Sequence, residues 1–456
     1  MDHTLIFWLG AIIGIFAGVL VGRMQRPLLY LMFGLLVFST ATQSLSITFF
    51  PALAYKVATR GFFVHVSYLF AIILLISMIL RPREYKLKWA YPLLIPYILI
   101  ILWSFLSWHY VFPDALPRVP GEYEEDTSVF FYIKLYPLFE IHQMIWGAFL
   151  ILVVFNFVKD ARSVYIAVYA IAIALILLMF AALFQRYAIG IYRVAFFDDI
   201  NNFNSYLGMA GLFILPMAFA MRNTYGASLI WIASAAALIS IILTVSRASL
   251  LAFMGIGSLV ALLCTLRYLT YRNVFMLFLG CLMALGLIAK AANTLAERFT
   301  WEQAEADYED RKKVYAAAVL MANEHFTGVG LGNFSAWNLS GYGDRVGAEE
   351  VSIAHNIWFL TLAEIGYIGL LLFILFWLRY LQMLVYVFYK FWGEKESVYF
   401  PLMIGVAGSL LFLHVQNLVH FTMRVGSIFI LSQILIALTV RMYLDARRNS
   451  LTLRKL

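Results

Sequence analysis

His355 and Asn356 head the apolar run SIAHNIWFLTLAEIG (352–366), straight after a long polar stretch. A histidine at a helix start beside cations loses proton affinity, because the helix dipole and the nearby charges disfavour imidazolium. A neutral imidazole in that place can take the proton from an attacking hydroxyl, which is general-base chemistry. It can equally cap its helix or bond a neighbouring loop. Asn356 can cap as well, which would free His355. Glu364 lies further along, roughly on the opposite face and about 13 Å away along the axis. That is too far to orient His355, so the carboxylate is expected to tie helices together through an arginine such as Arg186 or Arg247.

Arginines supply the second part. Arg193 in RVAFFDDINNFN (193–204), Arg247 in LTVSRASLLAF (243–253) and Arg311 in EADYEDRKKVYAAAVLMANEHF (305–326) fall on three separate segments. Arg247 sits in a very short connection between two apolar spans, where it is expected to face a partner or an anion rather than to snorkel. Guanidinium groups bind phosphate oxygens in pairs and keep their charge when partly dehydrated. Converging, they would suit a lipid diphosphate and stabilise it as a leaving group without a metal. Asp198 and Asp199 are neighbours, a poorer clamp than Asp-x-Asp, so neither a metal site nor a cofactor is expected. His414, Asn417 and His420 recur three apart in HVQNLVHFTMR and read as lining an acceptor path rather than as metal ligands.

These side chains need elements to carry them, and the composition says which. Of the 456 residues 63% are hydrophobic and 13% charged, with a mean hydropathy of +0.86. A soluble domain is roughly half apolar and a quarter charged, so this chain is built for lipid. Apolar stretches long enough to span a roughly 30 Å hydrocarbon core recur at about 4–22, 27–49, 62–80, 89–107, 141–158, 163–187, 204–221, 227–244, 248–266, 273–290, 356–378, 398–416 and 425–440. The second and eleventh are ragged. The predicted fold class is all-α, a polytopic integral membrane protein with about 12–13 transmembrane helices.

More than half of the 33 basic residues but few of the 25 acidic ones fall in alternate connections, such as Arg81, Arg83, Lys86, Lys88 and the tail from Arg441. The positive-inside rule then puts the N-terminus outside and the C-terminus inside. The net charge of +8 is therefore a signal of the inner face, and no nucleic-acid partner is expected. The first apolar run starts at Thr4 without a basic leader, so a cleaved signal peptide is not expected. Cys264 and Cys281 lie in apolar runs and read as packing thiols. Two outer loops are long: one carries FPDALPRVPGEYEEDTSVF (112–130), the other covers residues 291–355. In the second, a helix over 305–326 puts Arg311, Tyr315, Ala318 and Ala322 on one face, with Val314 and Met321 flanking it. TGVGLGNF (327–334) breaks that helix and reads as a glycine-rich turn, since no strand precedes it. The expected organisation is one integral domain, 1–456, containing the loop 291–355.

SRASLLAF, DRKKVYAAAVLMANEHFTGVGLGNF and AHNIWFLTLAEIGYIGLLLF resemble, in order and spacing, the O-antigen ligase and polymerase family of bacterial envelope proteins. Upstream, YRVAFFDDINNFNSYLGMAGLFILP is similar to that family's Arg–Gly–Phe–Pro–Asn–Tyr–Leu pattern, with Asp-Asp-Ile-Asn-Asn in place of Pro-Asn. The resemblance covers about residues 190–375. It implies a GT-C-like fold with a large, partly helical periplasmic loop, in the bacterial inner membrane. It further implies a metal-independent inverting glycosyltransferase whose donor is a glycan on undecaprenyl diphosphate. By this analogy Arg247 and Arg311, with Arg193, bind the diphosphate, and His355 activates the acceptor hydroxyl. Asn356, Tyr315, Asn202 and His420 support them. The acceptor would be the lipid A core for a ligase, a lipid-linked repeat unit for a polymerase of O-antigen or exopolysaccharide, or a protein hydroxyl. The ligase assignment is slightly preferred. A transporter or flippase of the same lipid is a reading of another class, and it would place its ionisable groups near the bilayer midplane.

Overall fold

A computed structural model describes residues 3–23, 26–42, 46–54, 58–111, 127–197, 199–290, 301–348, 353–394 and 397–448. A chain beside lipid must satisfy its own backbone N–H and C=O groups, which makes helices of the apolar runs. The order is α1 (His3–Arg23), α2 (Arg26–Ser39), a hairpin of β1 (Ser46–Ala54) and β2 (Ala58–His65), and α3 (Val66–Ile79). Next come α4 (Leu94–Val111), α5 (Thr127–Phe157), α6 (Ala161–Tyr187), α7 (Ile200–Ala220), α8 (Thr224–Leu243), α9 (Arg247–Arg267) and α10 (Tyr271–Lys290). The long segment between α10 and the next span holds α11 (Trp301–Glu324) and two single-turn helices, α12 (Phe334–Trp337) and α13 (Gly343–Val346). The chain returns through α14 (Ile357–Phe391), α15 (Tyr399–Asn417) and α16 (Gly426–Arg447). Eight of the described helices are long and apolar enough to cross a membrane, and five shorter apolar ones accompany them. This is an all-α polytopic membrane fold.

Enclosure differs sharply between spans. The apolar window of α7 is 94% buried and that of α16 is 89% buried, whereas that of α9 is 28% buried. So α7 and α16 are central, and most of α9 is left facing outward. Hydroxyls join the central helices: Ser409 Oγ donates to the Met209 carbonyl at 2.7 Å, and Tyr380 and Thr439 meet at 2.9 Å. Such bonds hold helices where lipid offers no competing partner.

The apolar stretch at 27–49 is not one span. Its helix stops at Ser39, and the alternation of β-branched and aromatic residues after it pairs antiparallel instead, Ser46 opposite His65. The register shifts between Phe49 and Ala52, where Pro51 has no N–H for the ladder. Phe62 of β2 packs on His142 of α5, ring centroids 4.1 Å apart. The acidic, Pro-rich segment at 112–126 and Asp198 lie outside the described residues.

The segment carrying α11 to α13 builds a small core of its own. Val314, Ala318 and Met321 of α11 cluster with Phe334 and Trp337, and Leu360 and Ala363 of α14 close it. That is the face the helical spacing predicts, with Arg311 and Tyr315 at its partly exposed edge.

Candidate active site

Three backbone devices place the side chains. The first is the break in α14 at Gly366, which takes φ 68 and ψ −174. The carbonyls it frees are bonded by the glycine turn: Val329 N donates to Ala363 O at 2.9 Å, and Gly330 N to Glu364 O at 2.8 Å. Trp103 Nε1 donates to Ile365 O at 2.7 Å. Gly328 (φ 84) lies so close that a Cβ would overlap the Glu364 carbonyl and the Ile365 nitrogen. The expected glycine-rich turn is therefore a clamp that fixes α11 to α14. Gly328→Ala should cost the overlap, about 1–3 kcal/mol, plus about 1–2 kcal/mol of left-handed backbone strain. Gly347→Ala (φ 67, open space around it) should cost the strain alone. Thermal unfolding in detergent compares them, and equal losses would refute the clamp.

The second device is the turn into α9. Val245, a β-branched residue, sits at φ 55, which costs free energy that tertiary contacts must offset. Around it Thr244 Oγ1 donates to Asn204 Oδ1 at 2.9 Å, and Ser249 Oγ to Gln416 Oε1 at 3.3 Å. Arg247 is thus the first residue of α9, two residues before the Ser249 that reaches Gln416 near the end of α15. The amide nitrogens of Asn204 and Gln416 are buried with no partner among the described residues.

The third device is the cap of α14. Asn356 Oδ1 accepts from Trp358 N at 2.9 Å and Phe359 N at 3.4 Å, while its Nδ2 donates to Leu418 O at 3.1 Å. Asn356 thus does the capping, and it ties α14 to the segment after α15. His355 stands just ahead of the cap, its ring 5.9 Å from that of His420 and 6.0 Å from that of Phe421. Tyr315 stacks flat on Phe359, 4.5 Å away at 7°. Burial raises the Tyr315 phenol, opposed by the Arg311 charge and a hydrogen bond with Asn356. Burial, then the charges of His355 and Arg311, push His420 down to about 3. Arg311, Tyr315, His355, Asn356 and His420 therefore share one electrostatic environment.

The other predicted residues are placed less closely. Asn202 Nδ2 donates to the Phe197 carbonyl at 3.1 Å, folding the α6–α7 connection onto its own helix. Phe197 itself is at φ 58. Ser205 Oγ donates to Thr422 Oγ1 at 2.9 Å, which puts this end of α7, and the connection carrying Arg193, at the His420 end of the bundle. His414 and His420 do not form a stripe, because α15 ends at Asn417 and His414 packs instead against Trp377, centroids 4.2 Å apart.

Glu364 ties helices as expected, but to neither expected partner. It pairs with Arg424, whose carbonyl accepts Gln143 Nε2 at 3.0 Å. Arg424 follows His420 in the turn before α16, close in space though remote in sequence. Asn204, Gln416 and Arg424 were not anticipated. Each is a polar group in or beside an apolar span, which was the signal available.

Residues 232–374 match the family model described as O-antigen ligase. This stretch is similar to the O-antigen ligase family. The O-antigen ligase match begins in α8 and ends in α14, so it contains Arg247, Arg311, Tyr315, His355, Asn356 and the glycine clamp. Arg193, Asn202 and His420 fall outside it. The family implies glycan transfer of the ligase or polymerase type on lipid-linked substrates, in a membrane setting. No curated protein matches the chain.

Proposed function

We propose that this protein is an inverting, metal-independent glycosyltransferase acting at the periplasmic face of the bacterial inner membrane. It moves a glycan from undecaprenyl diphosphate to an acceptor hydroxyl, in the manner of an O-antigen ligase with the lipid A core or a similar glycan as acceptor. The observation that carries the reading is the grouping of Arg311, Tyr315, His355, Asn356 and His420 at one end of the bundle.

In this reading Arg247 and Arg311 hold the diphosphate, with Arg193 on the neighbouring connection. The acceptor oxygen attacks the anomeric carbon from the side opposite the diphosphate, and the sugar–phosphate C–O bond breaks with its electrons. The departing oxyanion is met by fixed guanidinium charge rather than by water. His355 takes the proton that the acceptor hydroxyl releases. Asn356 makes the capping bonds of the helix, so His355 is not needed for them. His420, uncharged at neutral pH, adds no competing charge beside it. The unpartnered amide nitrogens of Asn204 and Gln416, on side chains bonded to Thr244 and Ser249 in the turn that carries Arg247, fit a site that receives a polar group.

Two measurements test this. Deleting the gene should leave finished polymer on the lipid carrier; single repeat units accumulating instead would mean a polymerase. In a cysteine-free background, Ala316→Cys on the exposed face of α11 should react with an impermeant thiol reagent added from the periplasm. Labelling only from the cytoplasm would overturn the orientation.

A further inference from the structure

The opposite end of the bundle holds a cavity that the glycan-transfer reading does not use. The helix α16 runs from Gly426, near Arg424, to Arg441, a rise of about 22 Å at 1.5 Å per residue. There a cavity of about 270 Å³ is lined by Arg83, Lys86, Lys88, Lys159, Arg441 and Arg448. The wall between them is Phe155 and Asn156, both buried.

This is a built site rather than a loose scatter of cations. Asn156 accepts from Lys88 N at 2.9 Å and donates to Lys88 O at 3.0 Å, which pins the α3–α4 connection at its most enclosed lysine. Arg441 is held by Asp445 through two contacts of 3.0 Å, and Tyr399 OH donates to the same carboxylate at 2.9 Å. Lys159 Nζ donates to the Glu84 carbonyl at 3.0 Å and lies over the Tyr85 ring.

The cavity is short of negative charge. Its one lining carboxylate, Glu84, turns to Arg26 at 3.2 Å and Arg81 at 3.7 Å. Among the described residues no carboxylate pairs with Arg83, Lys86, Lys88 or Arg448. Burial, and then repulsion from Arg441 and Lys88, lower Lys159 to about 8. An anion entering here would relieve that repulsion.

Its dimensions and setting name the anion. Pockets for drug-sized ligands run to roughly 300–1,000 Å³, so this one suits a headgroup and not a whole nucleotide. It opens where helix ends meet the membrane surface, and Trp89, next to Lys88, is 62% exposed as an interfacial anchor is. We propose that this cavity binds the phosphodiester headgroup of an anionic phospholipid from the leaflet at that end of the bundle. Its acyl chains would lie against the outward apolar surface. Basic pockets between spans recognise such headgroups through this combination of charge and depth.

The full-length protein in neutral detergent is titrated with phosphatidylglycerol, phosphatidylcholine or inorganic phosphate, and bound lipid is read by native mass spectrometry. Phosphatidylglycerol should be held at least tenfold more tightly than phosphatidylcholine. Each lining charge removed should weaken it about fivefold. The variants are Lys86→Gln with Arg448→Gln, both exposed, and independently Arg83→Gln; melting without lipid checks that each is folded. Equal retention of the two lipids overturns the proposal, as does unchanged binding in the folded variants. Displacement of phosphatidylglycerol by an equal concentration of inorganic phosphate would also overturn it, since the site would then read the free anion alone.

Discussion

Replacing His355 by alanine is expected to lower glycan transfer by about 10²–10⁴-fold, the range that a positioned general base contributes. Binding of the lipid donor should stay near normal. The variant isolates chemistry from structure because of its neighbour: Asn356 keeps both capping bonds and its link to Leu418 whatever occupies 355. Loss of activity with an unchanged melting temperature would therefore report the missing imidazole. Transfer in the alanine variant within a few-fold of the starting protein would remove His355 from the mechanism.

Arg311→Lys should fail almost as badly as Arg311→Ala, each losing about 10²–10³-fold, as when one donor to a developing oxyanion is removed. Lysine keeps the charge but not the planar fork that meets two phosphate oxygens at once. Arg311 also faces Tyr315 and His420, so its charge is felt throughout the cluster. Near-full activity of the lysine variant would show that charge alone suffices and that the bidentate contact is not made. The two substitutions separate in donor affinity, which Arg311→Ala should weaken and His355→Ala should spare.

The structure also supplies the reason for a residue that chemistry leaves aside. Glu364 sits about two turns below the cap of a helix that breaks two residues later, with the glycine clamp on one side and Arg424 on the other. Removing one partner of a buried ion pair leaves an uncompensated charge. The pair joins the turn that carries His420 to the helix that carries His355, so it positions both rings.

Much of this was legible in the sequence because lipid imposes a rule that composition cannot hide. Long apolar runs mostly become helices there, and polar residues among them need partners, so the all-α polytopic fold and the polar positions His355, Arg311 and Arg247 stand out from the residues alone. The face of α11 carrying Arg311 and Tyr315 was readable from its spacing, because a helix repeats every 3.6 residues. What sequence could not determine is who meets whom. Glu364 had several arginines within plausible reach, and only the packing of α14 against the turn before α16 selects Arg424 over Arg186 or Arg247. The stretch at 27–49 looked like a span because apolar content does not distinguish a helix from a hairpin; the pairing of Ser46–Ala54 with Ala58–His65 does. The cations at 83–88, 159 and 441–448 read only as markers of one face until the fold drew them around a single cavity. Pairing and convergence depend on contacts between residues tens to hundreds apart, and those energies exist only once the elements have docked.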